Sequence, residues 1–188
     1  MSTRLREILT SGIFAFGGGL ICAGVPAQAK VHAALKDEST LSYTLIHKMH
    51  EITGVSKNFK CRVELETDTT KTRIHVKGAV AGFNSGNSTR DANVLEVLEA
   101  TKYPHVEFLG DSVRREGKDW RVFGRLTFHG VKRSLNFKVS PQVSGNKVRI
   151  QGGFKVSLTE FKIERPRLLL IPVEDDLEIR IDVVAKVE

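Results

Sequence analysis

The 188-residue chain has little cysteine, tryptophan, tyrosine or proline: two Cys, one Trp, two Tyr and five Pro. Cys22 lies in an N-terminal segment that reads as removable. The mature chain then keeps Cys61 alone and can form no internal disulfide. Cys61 falls on the apolar phase of its segment, which reads as a buried small hydrophobe rather than a reactive thiol. There is no G-x-S-x-G motif, no internal repeat and no low-complexity tract. The formal net charge is +7, yet the cations are scattered along polar strand faces rather than run together. Such scatter, without interleaved exposed aromatics, argues against nucleic acid and reads as a solvated surface. A weak, transient attraction to a membrane surface with anionic head groups stays open, as does oligomeric state, a dimer included.

The N-terminus has its own pattern. Arg4 and Arg6 give a positive start, and Ile8 to Val25 is apolar and Gly-rich, broken by Thr10 and Ser11. Ala27-Gln28-Ala29 is a small-x-small cleavage site. Residues 1–29 therefore read as a secretory signal peptide cleaved after Ala29, which predicts a periplasmic or secreted protein. The core is short and glycine-laden for a membrane anchor, and bulky Ile21 before Cys22 disfavours lipoprotein processing. Residues 30–38 read as a loose leader, and 39–188 as one domain.

Within that domain, apolar and polar residues alternate with period two. Val55, Phe59, Cys61, Val63 and Leu65 share one predicted face; Leu177, Ile179, Ile181, Val183, Ala185 and Val187 repeat the pattern at the other end. Successive side chains of a strand point to opposite faces, so each segment has one apolar and one wet face. Strands are expected near Thr40–Lys48, Thr53–Glu66, Thr72–Gly82, His105–Val113, Trp120–His129, Val131–Ser140 and Lys147–Leu158, with an eighth at the C-terminus. Asp68-Thr69-Thr70, Glu116-Gly117-Lys118-Asp119, Gly130 and Gly145-Asn146 supply turns. Only Val94, Leu95, Val97 and Leu98 follow helical spacing, capped by Asp91 or Thr89 and stopped by Pro104. Eight strands and one short helix leave few elements to cover a sheet. The economical fold is all-β: an antiparallel sheet closed on itself, apolar face inward.

Small residues on the apolar phase, Gly78, Gly124, Gly152, Cys61 and Ala185, leave volume inside such a barrel; the alternative is that the glycines mark bulges or bends. Leu168-Leu169-Leu170-Ile171 reads as a plug of one barrel end, or as a lid. His47 and His50 lie on opposite faces of a strand unless the chain turns there, so no metal site is expected. His129 reads as a strand-end histidine.

Three segments carry a family resemblance. They are Ser88-Thr89-Arg90-Asp91 with the helix and Lys102-Tyr103-Pro104-His105-Val106-Glu107-Phe108; Gly124-Arg125-Leu126-Thr127-Phe128-His129-Gly130-Val131-Lys132; and Tyr43-Thr44-Leu45-Ile46-His47. In this order and spacing the chain, from about Ser39 to Val187, resembles the YceI family in a diverged form. Asn93 and Val94 stand where the family often has His and Leu, and Met49–Val55 also departs from the common pattern. The resemblance implies an extended lipocalin-like antiparallel barrel, usually periplasmic. It also implies a long tunnel for a polyisoprenoid, or for a related amphiphile such as an isoprenoid quinone or fatty-acid-like lipid.

The expected function is thus a non-catalytic carrier that sequesters an apolar ligand by burial. Its expected wall is Phe59, Val63, Val76, Val122, Gly124, Leu126, Phe128, Leu135, Phe137, Phe154, Val156, Ile179 and Ile181. Arg90 either meets the head group at the mouth or pairs with loop carbonyls while Asp91 caps the helix. A leucine at Gly124 is expected to reduce ligand capacity more than stability. Two alternatives remain: a solidly packed barrel serving as a stress-response or partner-binding module, and an enzyme on a lipid-like substrate. The inward phase carries almost no titratable group for the latter.

Overall fold

The computed structural model describes residues 30–48, 50–65, 71–168 and 171–186. The signal-peptide reading, the Asp68-Thr69-Thr70 turn, Leu169-Leu170 and Val187 lie outside them. The main sheet contains β1 (Lys30–Ala33), β2 (Thr40–His47), β3 (His50–Ser56), β4 (Phe59–Leu65), β5 (Arg73–Ala79), β6 (His105–Glu116), β7 (Asp119–Phe128), β8 (Val131–Ser144) and β9 (Lys147–Ser157). Two short strands, β10 (Arg167–Leu168) and β11 (Ile171–Pro172), pair only with each other, and β12 (Asp176–Lys186) completes the main sheet. The spatial order is β1-β4-β5-β6-β7-β8-β9-β12-β2-β3, antiparallel throughout.

Ten strands stand in this sheet where the alternation suggested about eight. One addition comes from residues 30–38, which carry β1 on the edge of β4 and a 3-10 turn at Lys36–Glu38. The other comes from the segment read as a single strand over Thr53–Glu66, which breaks at Lys57-Asn58. The cause is Ser56. Its side chain is buried, and its Oγ accepts the Asn58 backbone N–H at 3.1 Å, a serine turn that competes with the strand ladder. The break also shifts the phase. Val55 is 41 % exposed and does not share the inner face of Cys61.

That corner curls the sheet. β3 pairs with β2 at one end of the strand order, while β4, two residues later, pairs with β5 and β1 at the other. The two ends of the strand order are drawn together by bridges from Val55 of β3 to Asn84, in the loop after β5, and from Ala34, just after β1, to Ala185 of β12. The Leu35 N–H donates to the Val184 carbonyl at 2.7 Å. Ser39, fully buried, completes the seam: its Oγ accepts the Val184 N–H at 3.0 Å and donates to the Val184 carbonyl at 3.3 Å. Ser39→Ala strands a buried N–H, and we predict a loss of about 1–3 kcal/mol, read as a lower midpoint in thermal unfolding. An unchanged midpoint would show that the seam does not depend on this hydroxyl.

The helix α1 (Ser88–Val97) forms where the period changes. Its cap is Asn87, whose side chain accepts the Arg90 N–H at 2.9 Å, rather than Asp91 or Thr89. Asp91 is engaged elsewhere. It accepts the backbone N–H of Ser85 at 3.1 Å and the Ser85 hydroxyl. No residue of α1 is fully buried, but Val97, with Leu98 just after the helix, packs half-buried against the hydrophobic core, and the helix lies across the barrel on that side. The hairpin between β2 and β3 sets His47 opposite His50; the chain does turn there.

Candidate functional site

The inward phases of the strands enclose a cavity of about 1170 Å³. Its wall includes Val63, Val76, Val122, Leu126, Phe128, Phe137, Phe154, Val156, Ile179 and Ile181, with Arg90 at the α1 side. An aromatic chain stiffens one flank: the rings of Phe108 and Phe137 lie 5.4 Å apart, and those of Phe137 and Phe154 lie 4.8 Å apart. Cys61, Gly78 and Ala185 also line the cavity, as their small size on the apolar phase suggested.

Phe59, Leu135 and Gly124 do not line it. Phe59 is half-buried, with its Cβ close to Gly78. Leu135 packs against the core cluster. Gly124 sits at a close approach to β6, opposite Gly110 and next to a register shift between Gly110 and Ser112. A Cβ at Gly124 would lie 2.3 Å from the Leu109 carbonyl oxygen and 2.7 Å from the Gly110 Cα. The glycine is there for backbone approach, which overturns the expectation that Gly124→Leu spares stability. Gly152 is similar, with its Cβ position 2.6 Å from the Lys138 carbonyl oxygen. Gly78 is the opposite case, since its Cβ would make only ordinary contacts of 3.6 and 3.7 Å.

Several wall residues escaped the sequence reading. Tyr43, Leu45 and Trp120 were in phase on their strands and face the cavity, as do Phe108 and Ile150. From α1, Val94, Leu95, Val97 and Leu98 contribute their apolar stripe. Their signal was the same alternation, or the helical spacing. What it lacked was a way to rank inner-face residues by depth.

Polar groups gather at two places on the wall. Near α1, Arg90 donates through Nε to the Ser85 hydroxyl at 2.9 Å and through Nη2 to the Ser85 carbonyl at 2.7 Å. With Asp91 on the same serine, both charges knit the loop before the helix. Tyr43 packs on Phe83, ring centroids 5.5 Å apart. Its phenol is held protonated beyond the ordinary range by burial and, secondarily, by Asp91. At the other end, His32 on β1 bonds through Nδ1 to the Lys186 carbonyl at 2.8 Å, and Thr72 is fully buried. Burial pushes the Cys61 thiol up to about 11, so it stays a thiol at neutral pH and is no nucleophile.

Charge pairs occupy the outside. On the β9–β12 surface, Asp182 accepts Arg149 Nε at 2.7 Å and Gln151 Nε2 at 2.9 Å. The Arg149 bond holds its carboxyl below the usual range. A lowered folded value means stabilisation present above the unfolded value of about 3.9, lost as pH falls through the folded one. We predict that Asp182→Asn removes part of the acid sensitivity of unfolding. Identical slopes of midpoint against pH below pH ~4 for both proteins would contradict this.

A barrel-like antiparallel sheet around an apolar cavity, with one helix across it, defines the lipocalin-like class of binding folds. The YceI-like domain model matches residues 32–185, and the chain belongs to the YceI family. Burkholderia cenocepacia BcnA has a similar structure: TM-score 0.74 at 19% identity, covering 81% of this chain and 99% of that one. A polyisoprenoid binding domain from Saccharophagus degradans, implicated in plant cell wall breakdown, superposes with TM-score 0.67 at 12% identity, covering 86% of this chain and 100% of that one. The Campylobacter jejuni YceI protein gives TM-score 0.65 at 19% identity, covering 76% of this chain and 89% of that one. Among curated proteins, none matches this chain by sequence.

Proposed function

We propose that the protein is an exported, non-catalytic carrier that holds a polyisoprenoid, or a related amphiphile such as an isoprenoid quinone, in its barrel. The carrying observation is a cavity of about 1170 Å³ walled mainly by inward apolar side chains of the sheet and of α1. A solid core would have no such space, which disfavours the packed-barrel alternative. At about 30 Å³ per water-sized unit, the space takes about forty carbon-sized groups. Each buried CH₂ contributes about 0.8 kcal/mol, less the cost of ordering the chain. The family and the polyisoprenoid binding domain of similar fold support the ligand class. Export rests on the sequence pattern of residues 1–29. We place the polar end of the ligand toward α1, where Tyr43 and the Arg90–Ser85–Asp91 knot form one of the wall's two polar groupings.

Trp120, the sole tryptophan, stands on the wall and reports on occupancy. Titration with a polyprenol or an isoprenoid quinone should change its emission saturably, at one ligand per chain. Emission that stays constant while the lipid partitions elsewhere would reject the carrier.

A further inference from the structure

The cavity's second polar grouping is built at the β1 end of the sheet. His32 stands opposite Val63 across the β1–β4 ladder, and Val63 stands opposite Ile74 across the β4–β5 ladder. Opposite residues of an antiparallel pair share a face, so the His32 imidazole stands on the inner face with these two wall residues. Thr72, two residues before Ile74, is on the same phase and also lines the cavity. Its backbone is fixed from outside, where Arg73 Nη1 donates to the Thr72 carbonyl at 3.3 Å and to the Asp111 carbonyl at 2.6 Å.

The hydrogen bonding here is incomplete. The Lys186 carbonyl can only accept, so His32 Nδ1, 2.8 Å from it, carries a proton. In the neutral ring Nε2 is then an acceptor. Thr72 is fully buried, and its Oγ1 has no hydrogen-bond partner among the described residues. A buried hydroxyl left so is disfavoured. A ligand hydroxyl complements the pair: it can donate to His32 Nε2 and accept from Thr72 Oγ1. A charged group fits less well. The lining's Arg and Asp residues are Arg90 and Asp91 on α1 and Arg167 on β10. β10 lies before the start of β12, whereas His32 meets Lys186 at its end. Burying an ionised group without a countercharge is costly.

This end is far from α1. Thr72 to Gly78 is six residues of extended chain, about 20 Å, and the chain then passes the 3-10 turn Val80–Gly82 before it reaches Ser85 and Arg90. Between the two polar groupings the wall is apolar, with Ile74, Val76, Val122, Phe137 and Phe154.

We infer that His32 and Thr72 form a second polar subsite, which takes a small neutral hydroxyl on the far end of the bound chain. The inference rests on the carrier reading and narrows it: the ligand is a long-chain amphiphile polar at both ends.

The probes are straight-chain alcohols of sixteen to twenty-four carbons, each compared with the diol of equal length that carries a second hydroxyl on its other end. Binding is read through Trp120. In the unmodified protein the best-fitting diol should bind at least as tightly as its alcohol, because its second hydroxyl finds partners. In Thr72→Val the diol should weaken about tenfold and the alcohol should not, while Thr72→Ser keeps the diol's affinity. The unfolding midpoint of ligand-free Thr72→Val should not fall, since no internal hydrogen bond is lost. Diols that bind more weakly than their alcohols at every length, with no further loss in Thr72→Val, overturn the subsite and leave the carrier standing. A lowered midpoint in Thr72→Val also overturns it, since the hydroxyl would then serve the fold. An equal loss for alcohol and diol in Thr72→Val, at an unchanged midpoint, supports the subsite and overturns the placement of the polar end toward α1. Binding of neither probe by the unmodified protein rejects the carrier, and the subsite with it.

Discussion

Gly124→Ala lowers the unfolding midpoint by about 6–12 °C, the shift expected for a loss of about 3 kcal/mol in a chain of this size. The added Cβ would meet the Leu109 carbonyl oxygen at 2.3 Å, Phe108 Cζ at 2.6 Å and the Gly110 Cα at 2.7 Å. Two of these are backbone atoms of the neighbouring strand, where Gly110 and Gly124 face each other beside the register shift. Phe108 could swing aside, but the backbone of β6 cannot retreat without breaking its ladder with β7. Gly124→Leu meets the same backbone and loses at least as much. Thermal unfolding followed by far-UV dichroism measures this. A midpoint within a degree or so of the parent would mean that β6 has room that the geometry denies it.

Gly78→Leu has its large effect on binding instead. Gly78 lines the cavity, and a Cβ there touches Phe59 Cβ at 3.6 Å and Val106 Cγ1 at 3.7 Å, both ordinary contacts. The remaining carbons of a leucine then project into empty volume. Displacing about four CH₂-sized units of ligand, at about 0.8 kcal/mol each, weakens binding of a cavity-filling isoprenoid by about two orders of magnitude. Stability should change little, since no backbone is in the way. A titration read through Trp120 decides it. Undiminished affinity would show that the ligand does not run past β5, and a collapse of the fold would show that the space is not free. The two glycines share the apolar phase and differ only in what stands across from them.

That difference explains how much could be read in advance. Alternation located the inner faces of β2, β5, β7, β8, β9 and β12, and the turns at Gly117, Gly130 and Gly145 all sit at positive φ where only glycine is comfortable. The helix at Val94–Leu98 was legible from its spacing, and Cys61 as a buried residue from its phase. The corner at Lys57-Asn58 was not, because the serine turn switches the inward phase from that of Ser56 to that of Cys61, while Val55, Phe59 and Cys61 still read as one alternation in the sequence. Nor was β1, whose few residues gain their strand only from the exposed edge of β4 and the seam at Val184. Within the site, phase alone cannot tell a glycine that opens a cavity from one that admits a neighbouring backbone. That distinction is set by register, which Gly110 and the bulge after it determine.

The central claim is that the cavity holds a lipid. The direct measurement is to purify the protein without detergent, extract it with organic solvent, and weigh and identify what is released by mass spectrometry. The account predicts one isoprenoid or similarly long-chained amphiphile per chain, of about forty carbon-sized groups or fewer. A protein that yields none and also leaves added polyprenol and quinone in the bulk phase would contradict it.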